Sequence, residues 1–520
     1  MGSKDAEVMK EGIIMKKLMT LALAAAMMLG AATGANAIDF KAKGQWIMSF
    51  DYGMHGNFGE SKAKNNSGFG NEDEFEARQR VRLQLDAVAS EALSGTVFFE
   101  IGDQVWGDSD TGGALGADSK NVVELKRAYI DWMVPQTDLK VRMGIQGLAL
   151  PSFTTNASQI MDDDVAAISL NYQFNENVGL TAFWARPYND NSGYKWDGKD
   201  AGYQNYMDNM DMFAVLLPLT FDGVKVTPWV MYAAMGPGMF NEWNNGTTKF
   251  NGGNAWDRAS AGMVSGFKGT DPLDTYGNAF WAGVTGEVTY WDPFRIAWDV
   301  NYGSAAYADQ KMNREGWLAS LLLEYKLDWG TPGIYGWYGS GDDNNPRNGS
   351  ERMPTVSANG NNDFSNFAFN GNPYIAREGI LGSTMVGTWG IGARLKDVSF
   401  LEDLKHTLRV NFMGGTNAPK MAKYVGDYAP FEKRGVQAVA EGGFSYDPMY
   451  LTTEDYALEI GLTNTYKMYD NFTVMLDAAY VALWLDDSTS TWGKNPGRSA
   501  LGGDGVYDAW NVNLSFVYSF

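Results

Sequence analysis

The last eleven residues, Trp510 to Phe520, read WNVNLSFVYSF. Trp510, Val512, Leu514, Phe516, Tyr518 and Phe520 fall on one face of an extended chain, while Asn511, Asn513, Ser515 and Ser519 fall on the other. Six apolar positions in strict period two define a strand with one greasy and one wet face. The pattern returns near the start, where Ala42, Gly44, Trp46, Met48, Phe50 and Tyr52 alternate with Lys43, Gln45, Ser49 and Asp51.

Between these two segments the same reading predicts strands at 74–88, 91–102, 122–134, 138–145, 165–174, 177–185, 211–221, 223–234, 279–291, 293–303, 316–328, 332–339, 386–397, 404–414, 455–467 and 472–485. Each is near the roughly 9–11 residues that a tilted membrane-spanning strand requires. The count is 18. The strands at 211–221 and 332–339 alternate poorly, so 16 stays open.

The connections decide the architecture. Tight turns rich in Gly, Pro, Asn and Asp (89–90, 135–137, 175–176, 222–223, 292–293, 329–331, 469–471) alternate with long polar excursions (54–73, 103–121, 146–164, 186–210, 235–278, 340–385, 416–454). Short turns on one side and long loops on the other are the asymmetry of membrane β-barrels, with the short turns on the periplasmic side and the long loops outside. After residue 37 no apolar run approaches the 18 residues that mark a spanning helix. Aromatic residues make up 14% of the chain, with 18 Trp, and there are 61 Gly. That composition suits many strands, tight turns and aromatic belts, and a closed barrel is the non-helical way to satisfy every backbone group in lipid. The expected fold is therefore all-β, a transmembrane antiparallel barrel over residues 38–520.

The first residues supply an address. From Met15 the chain reads MKKLMTLALAAAMMLGAATGANA, with basic Lys16 and Lys17, an apolar run, and Ala35-Asn36-Ala37 as a cleavage site. Residues 15–37 are expected to be a signal peptide and 1–14 an upstream extension. Removing 37 of 520 residues leaves 483, and taking away four Lys and three acids changes the net charge from −21 to −22. Such a charge argues against nucleic acid as a partner. The chain has no cysteine and only two histidines, His55 and His406. Neither a Zn–Cys site, a His-based metal site nor a Ser-His-Asp triad is expected. No cofactor is implied and the chain reads as no enzyme.

A chain ending on Phe in such a strand resembles the C-terminal signal, here Phe516, Tyr518 and Phe520, that Gram-negative outer-membrane barrels present to their assembly machinery. The whole of 38–520 resembles a Gram-negative trimeric porin, and its Gly- and Trp-rich style with the start IDFKAKGQW is similar to the homotrimeric porins of sulfate-reducing bacteria. The resemblance implies the outer membrane, a homotrimer, lipid around the barrel, and passive diffusion of ions and small hydrophilic solutes. A solute-specific channel for a sugar or an oxyanion, and a closed structural barrel, are the alternatives.

The candidate selectivity residues follow from parity. On 74–88 the apolar face is Phe75, Ala77, Val81, Leu83, Leu85 and Ala87, interrupted by Gln79, while Arg78, Arg80 and Arg82 stack on the other. Facing lipid at the midplane, each Arg would cost about 2–4 kcal/mol, so the ladder is expected to line the lumen. The same rule turns Arg127, Lys140, Arg142, Lys225, Arg295, Arg394, Lys405 and Arg409 inward, with the acids Glu100, Asp131, Glu287, Asp299, Glu459 and Asp477. The excursion 146–164 ends in Asp162, Asp163 and Asp164. It reads either as a loop folded into the barrel, setting these acids against the Arg ladder, or as a solvated acidic loop tip.

Overall fold

In the computed structural model of the protein, the last strand, Ala509–Ser519, pairs antiparallel with the first, Asp39–Met54, from Gln45 opposite Ser519 to Met54 opposite Trp510. That pairing closes the sheet on itself. The structure describes residues 38–520 except 57, 60–73, 117–122, 190–208, 237–241, 245–246, 250–261, 266, 268–275, 359–361, 378, 425–448, 489–490, 497–500 and 502–504. The upstream extension and the signal peptide lie outside the described residues.

The wall runs β1 Asp39–Met54, β2 Glu74–Ser90, β3 Leu93–Val105, β4 Val123–Met133, β5 Leu139–Ala149, β6 Met161–Gln173, β7 Gly179–Asn189, β8 Asn209–Leu216 with its continuation Leu219–Phe221, β9 Val224–Met235, β10 Gly277–Val288, β11 Phe294–Ala306, β12 Arg314–Tyr325, β13 Thr331–Gly339, β14 Thr388–Leu401, β15 Leu404–Gly415, β16 Tyr456–Tyr469, β17 Phe472–Trp484 and β18 Ala509–Ser519. Each pairs antiparallel with its neighbours, giving 18 strands and excluding 16. All the strands expected from sequence are present. The break in β8 falls at Pro218, which has no N–H to give to the ladder. At the β8–β9 turn, Gly223 has φ +65°, and a Cβ there would come within 2.6 Å of Tyr290. Only glycine fits that corner without strain.

The outward face is apolar, with Phe213, Val230, Leu321, Ile334, Ile391, Val410 and Ile460 all exposed. Trp46, Tyr518 and Phe520 cluster toward one end and Tyr52 packs edge-on against Trp510 toward the other, as aromatic girdles do.

The interior is not uniformly wet. On β7 to β10 the inward positions are also apolar: Phe183 and Ala185, then Met210, Met212, Ala214 and Leu216, then Trp229, Met231, Ala233 and Met235, then Ala279 and Trp281. These strands are greasy on both faces, and this is why β8 alternates poorly in sequence. The segment between β13 and β14 supplies the other side of that core. Phe364 stacks on Tyr335 at 4.1 Å and lies beside Trp337, and Phe369 meets Trp337 edge-on. Burying each such side chain stabilises the arrangement by about 1.5–3 kcal/mol. One carboxylate pins it further. Glu459 on β16 accepts from the Ser365 hydroxyl, from the backbone N–H groups of Asn366, Phe367 and Ala368, and from the Asn411 amide, at 2.7–3.1 Å. Farther along, the Arg377 N–H reaches Asp51 on β1, and Ile375 packs with Ile47 and Val517. The segment therefore fills the lumen from β13 round to β1.

Candidate functional site

A second fold-in comes from β5 and β6. These strands pair with each other up to Ala149 opposite Asp162, but β5 leaves β4 above Ile145 and β6 leaves β7 above Ala167. The hairpin end thus quits the wall. Its tip crosses to β11, where Asp299 accepts from the hydroxyls of Ser152 and Thr154 and from the N–H groups of Phe153 and Thr154. Arg295 donates to the Phe153 carbonyl at 2.8 Å, and the Thr154 hydroxyl meets Ser320 on β12. On its free edge β6 is covered by Ser357–Ala358, paired parallel with Met161 and Asp162.

Of the two readings of 146–164, the structure has the inward fold, but it differs in boundaries and in partners: the acids meet Lys126, Arg127 and Ser357 and not the Arg ladder. Asp162, Asp163 and Asp164 are not a loop; they open β6, because the hairpin ladder continues past the point where the wall stops. Asp164 takes an ion pair from Arg127 and another from Lys126 at 2.9 Å. Asp163 accepts from the Ser357 hydroxyl at 2.6 Å. Asp162 lies beside both, half-buried.

On β2 the ladder is matched acid for base. Arg78 pairs with Glu76, Arg80 with Asp103 at 2.6 and 2.7 Å, and Arg82 with Glu100 at 2.7 Å. Glu100 also lies within 4 Å of Arg80 and Lys126. Below them, Asp131 on β4 holds Arg142 bidentately at 2.6 and 2.8 Å and Lys140 at 3.0 Å, with the Arg142 guanidinium 4.0 Å over the Tyr129 ring. Arg127 rests against Gly147, where a Cβ would come within 2.7 Å of its guanidinium.

Three other expected lining residues sit elsewhere. Arg295 joins Glu287 and Glu324, each at 2.8 Å, next to Lys225 on Glu287. Arg394 and Arg409 are buried beneath the segment between β13 and β14, held by its Asp363 at 2.6 and 2.8 Å. Burial pushes the Asp363 carboxyl up, but Arg394, Arg409 and Lys396 outweigh it and hold the group well below the usual carboxylate range. Of the inward aromatics, Phe183, Trp229, Trp281 and Trp337 are sealed in the core. His55 stacks on Tyr507, while His406 bonds to Asn464, so the two histidines do not meet.

The expected residues did not include Lys126, Asp103, Glu76, Glu324 or Asp363. Lys126 and Arg127 are adjacent in sequence yet both reach inward acids, because a bulge places Leu125 opposite Phe99 and Arg127 opposite Phe98. Two basic residues side by side in a strand are the signal that could have shown it. Asp103 lies just beyond the expected strand end, past the shift in register on β3. Asp363 is on a loop and carried no signal at all.

The wall is apolar outside and, along β2 to β6, ion-paired inside, and the fold is a closed 18-strand antiparallel barrel narrowed by two inward folds. No protein-family model matches the sequence, and no curated protein does. Among solved structures it resembles a BenF-like porin from Pseudomonas fluorescens Pf-5, at 8% identity and TM-score 0.49, over 93% of this chain and 98% of that one. It also resembles OccK11 (OpdR) of Pseudomonas aeruginosa, at 10% and 0.47 over 93% and 96%. A third likeness is to the outer membrane protein OpdK of the same species, at 8% and 0.45 over 92% and 99%.

Proposed function

We propose that the chain is a Gram-negative outer-membrane diffusion channel that passes ions and small hydrophilic solutes and catalyses no reaction. The open route runs along β2 to β6, since the β7–β10 side and the β13–β1 side are packed. The observation that carries the reading is the asymmetry of the ion pairs along it, in which the cation is usually the more exposed partner. Lys140 is 40% exposed against 17% for Asp131, Arg127 38% against 13% for Asp164, and Lys126 26% against the same 13%. Arg80 with Asp103 and Arg78 with Glu76 reverse the order. Charges within about 8 Å of a passing ion act largely unscreened at physiological salt, so a lining with its acids tucked behind its cations leans weakly to anions.

The resemblance to porins of sulfate-reducing bacteria supports a homotrimer, delivered by the assembly machinery through Phe516, Tyr518 and Phe520. Reconstitution in a planar bilayer under a salt gradient tests the reading. Stepwise conductance with a small anion-side reversal potential is expected, and a barrel with no conductance would refute it in favour of a closed structural role. A second reading, a channel specific for a small oxyanion, is favoured by the narrowing of the lumen by two inward folds. Burial of four inward aromatics argues against a stacking track for sugars. Block of chloride conductance by sulfate would select the specific channel.

A further inference from the structure

One row of inward residues crosses the wall in register. Arg295 on β11 stands opposite Glu324 on β12, Glu324 opposite Gly333 on β13, Gly333 opposite Arg394 on β14, and Arg394 opposite Arg409 on β15. Neighbouring strands are about 4.8 Å apart, so Glu324 and Arg394 start from backbones roughly 10 Å from each other. They nevertheless meet, the Arg394 Nη2 donating to Glu324 Oε1 at 2.7 Å. Gly333 makes room for them, since a Cβ there would come within 3.0 Å of the Glu324 Cγ and 3.6 Å of the Arg394 Cγ.

The other Glu324 oxygen, Oε2, accepts from Arg295 Nη1 at 2.8 Å. Each arginine then reaches a different inward fold. Arg295 Nη2 donates to the Phe153 carbonyl in the hairpin tip at 2.8 Å, and Arg394 Nη1 donates to Asp363 in the segment between β13 and β14 at 2.6 Å. Buried Glu324 is therefore the joint of a chain of bonds that runs from tip to segment. The same two folds meet again where Ser357–Ala358 pairs with Met161 and Asp162, and the tie through Glu324 fixes the pair to the wall. We infer that Glu324 is a positioning residue for the channel, the carboxylate that holds the hairpin tip and the segment as one constriction, so that neither withdraws alone. The inference rests on the channel reading above and names what sets the width of the pore.

The chain has no cysteine, so introduced thiols report on each fold separately. Ala157 lies in the turn of the β5–β6 hairpin and Ala368 in the segment between β13 and β14, and both are buried. In the full-length protein in native membranes, A157C and A368C should each react slowly with a small methanethiosulfonate. Adding E324Q turns an amide NH2 toward one of the two arginines. Reaction should then speed up at both thiols by at least about tenfold, because labelling follows the population of the open form and a buried charge has lost its partner. Gly333→Val keeps every charge but wedges methyl groups between Glu324 and Arg394, and should have the same effect at both thiols. In a barrel that still migrates as heat-modifiable, faster reaction at one thiol only, or at neither, overturns the inference. Where E324Q fails to accumulate, G333V decides. In planar bilayers E324Q should pass a larger single-channel current than wild type, and an unchanged current would show that Glu324 does not set the width. A wild-type protein without conductance would defeat the channel reading and leave the labelling result standing by itself.

Discussion

The main chains of Gly44 and Phe520 exchange two hydrogen bonds, Gly44 N–H to the Phe520 carbonyl at 2.9 Å and Phe520 N–H to the Gly44 carbonyl at 3.0 Å. The Phe520 ring lies over Gly44, where a Cβ would come within 2.5 Å of it, and it packs against Trp46 and Tyr518 with centroids 5.3 and 5.9 Å apart. The last residue of the chain is thus part of the seam that closes the barrel.

Phe520→Ala removes two aromatic contacts worth about 0.5–1.5 kcal/mol each beyond their burial. The expected outcome is less heat-modifiable barrel in the outer membrane with secretion unchanged, read on unheated gels of membrane fractions. Gly44→Val should give the same defect although the terminal residue is intact, because the ring loses its seat. Normal accumulation of both variants would show that neither the seam nor the terminal residue limits insertion.

Replacing Arg78, Arg80 and Arg82 together by Gln leaves Glu76, Glu100 and Asp103 on the same wall with fewer partners. Nothing new is exposed to lipid, so the barrel should assemble. Its reversal potential in a salt gradient should move toward cations, since these charges lie within the roughly 8 Å over which salt does not screen them. Neutralising Asp162 and Asp164 should move it the other way. An unchanged reversal potential in an assembled triple variant would place the narrowest point away from β2.

Asp299 is the anchor of the hairpin tip. Asp299→Ala leaves the Ser152 and Thr154 hydroxyls and two backbone N–H groups without their acceptor, at about 1–3 kcal/mol for each one left buried and unsatisfied. The tip should then move, giving a larger and noisier single-channel conductance. A conductance equal to wild type would mean that the tip is held by Arg295 and Ser320 alone.

Asp363 controls the other inward fold. A carboxyl whose pKa is depressed in the folded state contributes stability that is fully present above its unfolded value of about 3.9 and is lost as pH falls toward the folded value. The segment between β13 and β14 should therefore stay docked down to about pH 4 and loosen only below it. Asp363→Asn leaves Arg409 buried without its carboxylate and Arg394 with Glu324 alone, a loss of about 3–5 kcal/mol. Limited proteolysis at pH 7 should cut the variant within 340–386 and spare wild type. Equal resistance of the two would assign the docking to Glu459 and the aromatic stack instead.

Period-two alternation determined the wall. The strands from 42–52 to 510–520 were legible, 211–221 and 332–339 only weakly, because lipid outside demands apolar side chains at alternate positions while an apolar interior blurs the alternation. Turn chemistry and loop length set the order and the two ends, and parity turned Arg78, Arg80, Arg82, Lys140 and Arg142 to the side of the wall where their carboxylate partners lie. The interior was decided by tertiary structure. A loop that folds inward brings its own acids and aromatics to residues more than a hundred positions away, as Asp477 receives the Asn372 amide and Asp299 the tip at Ser152. Such meetings leave no period in the sequence, and they divide inward residues that look alike into the half-buried Arg127 and the buried Arg394. The bulge at Lys126 and the height at which β5 leaves β4 belong to the same class, because register depends on what the neighbouring strands and the hairpin tip find to bond with, and not on the alternation within one strand.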